Sequence, residues 1–150
     1  MFTLSRKMQL ALEAVVDVAF NARPDPVQSK DITRRQGIPQ RYLEQVMQRL
    51  VHAGILKGVR GPRGGYRLAR ERRRISVGEI LCVVSELEQA ETEADARPSD
   101  LASEVVRPLM SKMNERFMAE LKDVSLEDLC REAREKGIEP ENSTRMDFNI

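Results

Sequence analysis

Arg60, Arg63 and Arg67 stand among three glycines and a proline in the stretch Arg60-Gly61-Pro62-Arg63-Gly64-Gly65-Tyr66-Arg67. A guanidinium is permanently charged and forked, which suits it to phosphate oxygens or to a narrow minor groove. A tip without bulky side chains lets backbone approach such a surface closely. Glycine-rich loops also cradle nucleotides, but no Gly-Lys-Ser/Thr follows here and the stretch runs into a strand pattern rather than a helix, so a P-loop fails on context. Catalysis finds no counterpart in the chain, which shows no nucleophile and base pair and no cluster of metal ligands; neither an enzyme nor a cofactor is expected. The only histidine is His52, and Cys82 and Cys130 form neither a disulfide framework nor a CxxC pair. Both cysteines read as small, buried core residues in helical surroundings.

The elements that must position this tip are legible on either side of it. Ile55 to Arg60 reads as one strand and Tyr66 to Leu68 as a second, which makes a two-stranded wing. Before it, Pro39 opens a helix and Gly54 closes it. Leu43, Val46, Met47 and Leu50 form its apolar stripe. Arg41, Gln45, Gln48 and His52 fall on the opposite face, with Glu44 and Tyr42 or Arg49 on the flanks. Ser29 is placed to cap a shorter helix through Gln36, carrying Ile32 inward and Arg34 and Arg35 outward, and Gly37 turns the chain between the two helices. That is a helix-turn-helix, whose second helix enters the major groove while the first crosses the backbone. The residues expected to meet double-stranded DNA are Arg6, Lys7, Arg34, Arg35, Gln40, Arg41, Tyr42, Glu44, Gln45, Gln48, Arg60 and Arg63.

Charge supports this division of labour. The net charge of +1 over 150 residues conceals 16 Lys and Arg against 6 Asp and Glu in residues 1–75, and 9 against 18 in residues 76–150. A basic half suits a polyanion; an acidic half that stays off it suits self-association or an interaction surface. A length of 150 residues with 41% apolar content is enough for one core plus an extension. No apolar run approaches the ~20 residues that span a bilayer, and the first residues lack the regions of a signal peptide, so a cytoplasmic protein is expected.

In chain order, Ser5 is placed to cap a first helix to about Asn21, with Gln9, Glu13 and Asp17 as its polar strip. The run Arg70-Glu71-Arg72-Arg73-Arg74 reads as a solvated turn. Ser76 and Glu79 have capping-box spacing at the head of a further helix, and Glu88 to Asp100 reads as a mobile acidic linker. Pro108 predicts a short helical piece from Leu101 and then a long helix with Leu109, Met110, Met113, Phe117 and Leu121 in a stripe that a partner chain could cover. Val124 to Leu129 begins a capped final helix, and the tail after Gly137 is expected to fray. The domain reading is a winged helix-turn-helix over 1–75, with its first helix also packing on the dimerisation region. Linker and dimerisation helices occupy 76–137 and a flexible tail 138–150. The fold class is mainly α.

The Gly37-Ile38 turn, Tyr42-Leu43-Glu44-Gln45, Leu50 with Gly54, Arg60 to Tyr66, Ser76 to Ile80 and Val124 to Leu129 together resemble the Rrf2 family of bacterial winged-helix regulators. The resemblance implies a homodimer joined through the long C-terminal helix, usually a repressor, with two recognition helices in successive major grooves of a roughly palindromic operator. It implies DNA contacts for Tyr42, Glu44, Gln45 and Arg60, while Arg41 stands where relatives often carry a smaller polar residue. Cluster-binding relatives place three cysteines, often with a histidine, between the fourth helix and the dimerisation helix. Val83 to Arg107 holds neither residue type, so no conventional iron-sulfur cluster is expected. The signal is left between a small-molecule or protein effector at the acidic half, oxidation of Cys82 or Cys130, and no effector at all, as in a constitutive DNA-binding or scaffold protein.

Overall fold

Ser5 accepts the Met8 N–H at 3.1 Å and starts the first helix, α1 (Arg6–Asn21). In the computed structural model, which describes residues 4–92 and 97–141, there follow α2 (Ser29–Gln36), α3 (Gln40–His52), strands β1 (Leu56–Val59) and β2 (Gly65–Leu68), and then α4 (Val77–Thr92), α5 (Arg107–Lys122) and α6 (Leu126–Glu135). The architecture is therefore mainly helical with one antiparallel hairpin, in register Leu56 to Leu68 and Val59 to Gly65. Among the described residues no helix is long and apolar enough to cross a membrane.

The helix-turn-helix forms as its residues dictate, with small shifts at the caps. Gln28, not Ser29, is the N-cap of α2, and Gly37 ends it in the left-handed region at φ 66°. Pro39 stands one position ahead of α3 as its N-cap, and its carbonyl accepts the Leu43 N–H at 3.0 Å. Leu43, Val46, Met47 and Leu50 are buried against Ala14, Val15 and Val18 of α1 and Ile32 of α2 in one core. Burial of each such side chain is worth roughly 1.5–3 kcal/mol. Leu126 and Cys130 of α6 belong to the same core, so the end of the chain returns to pack on its beginning.

That return is fixed by backbone pairing. Val77 N–H donates to the Val124 carbonyl at 2.8 Å, and Leu126 N–H to the Ile75 carbonyl at 2.9 Å. Both expected caps lie at this junction. Ser76 and Glu79 exchange bonds of 3.0 and 3.1 Å at the head of α4, and Ser125 does the same with Asp128 at the head of α6. The arginine run is not a solvated turn throughout. It forms a 3-10 turn at Arg72–Arg74, with Arg72 3.3 Å from Glu127, which Arg134 also reaches, and Arg70 bonded to Glu79 at 3.0 Å.

Four expectations for the C-terminal half are corrected. The acidic stretch continues α4 to Thr92 rather than opening a linker at Glu88; residues 93–96 lie outside those described. Pro108 does not separate two helices, because helical backbone runs from Asp100 through a π-helical segment, Ala102–Val106, into α5. There the Arg107 N–H bonds to the Ala102 carbonyl, five residues back. The extra residue opens the ladder where proline has no N–H to give. Cys82 is exposed, since it projects away from the buried Ile80, Leu81 and Val84, whereas Cys130 is buried as expected. Residues 138–141 do not fray: past Gly137 the Ile138 N–H bonds to the Ala133 carbonyl, and Glu141 docks on α1 and α2. Residues 142–150 lie outside those described.

Bonds from the Ser76 backbone, and next to them Arg70, outweigh desolvation and hold the Glu79 carboxyl below its ordinary value near 4.5. A carboxyl depressed on folding contributes stability above its unfolded pKa and loses it as pH falls through the folded value. Chemical denaturation should therefore show stability decreasing as pH drops below about 4.5, with a smaller decrease in Glu79→Gln. An equal acid dependence in both proteins would remove this role.

Candidate nucleic-acid interface

Backbone space shapes the wing before its charges are considered. Val27 pairs with Tyr66 in both directions at 3.0 and 2.8 Å, adding a third short segment to the hairpin. At Gly65 a Cβ would lie 2.2 Å from the Val27 carbonyl oxygen, and at Gly64 one would lie 2.2 Å from that of Val59. Both glycines are needed because backbone passes where a side chain would sit. The tip they close carries Arg60 and Arg63 in exposed positions.

Of the twelve residues expected to meet DNA, ten are exposed: Arg6, Lys7, Arg34, Gln40, Arg41, Glu44, Gln45, Gln48, Arg60 and Arg63. Arg41, Glu44, Gln45 and Gln48 line the outer side of α3, opposite its buried stripe. Thr33 donates to Gln40 Oε1 at 3.0 Å, and Gln40 Nε2 donates to Glu44 Oε1 at 3.0 Å. A relay of side chains from α2 thus orients the one carboxylate on this face. Tyr66 stands between wing and helix: burial first, and then the Glu44 carboxylate, push its phenol upward, which keeps it neutral.

The other two residues turn inward. The Tyr42 hydroxyl donates to the Lys7 carbonyl and ties the start of α3 to the start of α1. Arg35 does not point outward. Its Nε and Nη2 reach the two oxygens of Asp17 at 2.9 and 2.7 Å, and Gln36 Nε2 adds a third donor at 2.7 Å. The Asp17 side chain is 0% exposed and that of Arg35 16%, so this ion pair is buried. Its bonds to Asp17 hold the Arg35 guanidinium above its ordinary value. Spacing had placed Asp17 on a polar strip of α1; the readable signal for its burial is a lone carboxylate beside Val18 and Ala19, which needs a partner.

Arg34 remains exposed, and its guanidinium lies 2.8 and 2.9 Å from the two oxygens of Glu141. Lys30, Arg34 and Arg63 line one polar cavity of about 860 Å3, together with Asp25, Asp31 and Glu141. The first helix of the motif and the wing therefore present cations to a common space. Glu141 had no place in the sequence reading, because nothing in a polar tail announces where it docks.

Beyond the reader, α5 carries Leu109, Met110, Met113 and Phe117 at 45–58% exposure, extended by Leu101, Val105 and Val106 upstream. Leu121 is half-buried where the helix meets the junction with α4. Contiguous exposed apolar side chains of this size mark an interaction surface.

An amphipathic second helix with a polar outer face, a two-stranded basic wing and an outlying helical arm define a winged helix-turn-helix transcriptional regulator. The chain belongs to the Rrf2 family, described as an iron-dependent transcriptional regulator, which it matches over residues 4–132. It is 36% identical over 130 residues to the HTH-type transcriptional regulator IscR of Xenorhabdus nematophila, covering 85% of this chain and 79% of that protein. Its structure is similar to that of IscR from T. potens, with a TM-score of 0.70 at 31% identity over 95% of this chain and 96% of that one. It is also similar to CymR, the global cysteine regulator of B. subtilis, with a TM-score of 0.65 at 27% identity over 87% and 98% of the two chains. These relatives are regulators, and the chain is not an enzyme.

The donor set does not fit a cysteine-held iron centre. Cys82 is exposed on α4, Cys130 is enclosed by the core, and among the described residues no three of His, Cys, Asp and Glu come together as a metal site.

Removing Arg35 leaves Asp17 buried with one neutral donor. Arg35→Ala should therefore destabilise the fold by about 3–5 kcal/mol, the cost of breaking a buried pair, as read by urea denaturation. A loss of DNA affinity at unchanged stability would show instead that Arg35 acts on DNA directly.

Proposed function

We propose that the protein is a homodimeric repressor that reads a roughly palindromic operator with two copies of α3 in successive major grooves. The uncovered apolar stripe on α5 carries this reading, because a second copy of the same stripe would cover it through a two-fold contact. Such a dimer repeats the reader with the symmetry of a palindrome.

Within each half, Arg41, Gln45 and Gln48 face the base edges, and Glu44 accepts from a cytosine amino group. Arg60 and Arg63 serve the minor groove or phosphates beside it, and Arg6, Lys7 and Arg34 serve phosphates. Tyr42 and Arg35 act by positioning α3 and α2. The signal is not a conventional iron-sulfur cluster; it enters through a small molecule or protein partner at the acidic C-terminal half. Support for this comes from the donor set and from the charge of residues 76–150.

Two measurements test the proposal. Operator fragments selected from genomic DNA should bind with log K falling by ~0.9 per log salt for each phosphate neutralised. Arg60→Ala and Arg63→Ala should each weaken binding by ~1–3 kcal/mol with folding intact. A flat salt dependence sinks the DNA reading. For the dimer, Phe117→Asp should sediment as a monomer while keeping its helical circular dichroism; a dimer that survives places the interface elsewhere.

A further inference from the structure

Glu141 stands apart among the residues around the polar cavity between α2 and the wing. The others come from residues 21–35 and from Arg63, whereas Glu141 arrives from the far end of the chain. Its docking is built at several points. Gly137 turns the chain at φ 79°, and the Glu141 N–H then donates to Asn21 Oδ1 at 3.0 Å. Asn21 is itself 7% exposed and fixed by a bond from its Nδ2 to the Asp17 carbonyl at 3.1 Å. The carboxylate meets Arg34 through both oxygens and also reaches Arg35.

We infer that Glu141 is an internal ligand of Arg34 that, in the DNA-free protein, occupies the place a backbone phosphate takes in the complex, so that the C-terminal tail sets DNA affinity. The inference rests on the reading of α2 as a DNA-facing helix. Carboxylate and phosphate present similar oxygens to a guanidinium, and Arg34 cannot serve both fully. The two partners differ in how firmly they are held. Arg35 keeps Asp17 whether or not Glu141 is present, so the fold does not depend on the tail. The Arg34 and Glu141 side chains are 57% and 45% exposed, and an ion pair so open to water is weak enough for DNA to displace. Release of counterions from DNA supplies the drive. Displacement breaks the contact with Arg34, while the Glu141 backbone bond to Asn21 and the contact with Arg35 do not involve that guanidinium.

The test measures binding of a fluorescent mixed-sequence duplex and of a selected operator to the full chain between 50 and 200 mM salt. Glu141→Gln is compared with wild type, with Glu139→Gln as a neighbour of equal charge change, and with Arg34→Ala alone and combined with Glu141→Gln. Glu141→Gln should bind roughly 2- to 5-fold more tightly than wild type, the range an exposed ion pair allows. Its salt slope should stay close to that of wild type, because Arg34 meets the same phosphate in both complexes. Glu139→Gln should show no gain, and the gain should vanish in the Arg34→Ala background. Equal behaviour of Glu141→Gln and Glu139→Gln, or a gain that survives Arg34→Ala, overturns the inference. Salt-dependent binding by wild type that Glu141→Gln leaves unaltered defeats the tail's role alone, whereas salt-independent wild-type binding defeats the DNA reading and the tail's role with it.

Discussion

The buried contact between Asp17 and Arg35 determines how the DNA-reading motif is held. A carboxylate with a fully buried side chain receives two bonds from one guanidinium and a third from Gln36. Charge removed from water is costly unless every oxygen is engaged, and these donors all come from the last turn of α2. The requirement leaves α2 little freedom on α1. It therefore fixes the turn at Gly37, and with it the direction in which α3 leaves. Hydrophobic burial of Ile32 and Leu43 supplies attraction without direction; the ion pair supplies the angle.

A second constraint holds the arm. Between Ile75 and Val77 the chain is nearly a strand, and it pairs with Val124 to Leu126 before each segment enters a capped helix. A Cβ on Gly78 would lie 2.7 Å from the Lys122 side chain, so α4 and the end of α5 are in close contact there. The arm thus departs from the reader at a short, hydrogen-bonded junction rather than at a loose linker. A rotation of α5 would be transmitted to Ile75 and Leu126, both in the core under α1. Any input received on the arm has a mechanically continuous route to α3.

Much of this was legible because local rules decided it. The wing follows from Gly64, Gly65 and the flanking strand patterns, the stripe on α3 from Leu43 to Leu50, and both capping boxes from serine and carboxylate three residues apart. What escaped depended on distant partners or on backbone adjustment. Periodicity placed Asp17 on a polar strip, and only its contact with Arg35 explains why it is buried. Pro108 broke the expected helix on paper, yet a π-helical segment absorbs its missing donor. The arginine run from Arg70 to Arg74 read as solvent-facing because its carboxylate partners, Glu79 and Glu127, lie in other elements. Cys82 was misplaced for a simpler reason: its neighbours in sequence are apolar, but the helix turns it outward.

These long-range partners also change the meaning of the charge asymmetry. A basic first half and an acidic second half admit two explanations, a polyanion partner or internal salt bridges, and the structure contains salt bridges in quantity. Arg72 meets Glu127, Arg70 meets Glu79, Arg49 approaches Glu86 and Arg34 and Arg35 meet Glu141. Every one of these pairs joins the basic half to the acidic half. Except for Arg35, whose principal partner is Asp17, and Arg72, whose side chain is 12% exposed, they are exposed or half-exposed and contribute little stability. Their distribution is more informative than their strength. They lie along the seam with α4, α6 and the tail, whereas Arg41 on α3 and Arg60 and Arg63 on the wing are exposed and pair with no carboxylate among the described residues. The segregation in sequence thus resolves into two surfaces: a seam where opposite charges align the halves, and a face of the reader on which cations stay open to water. Arg34 belongs to both, since its exposed guanidinium shares the cavity with Arg63 of the wing and pairs with the tail.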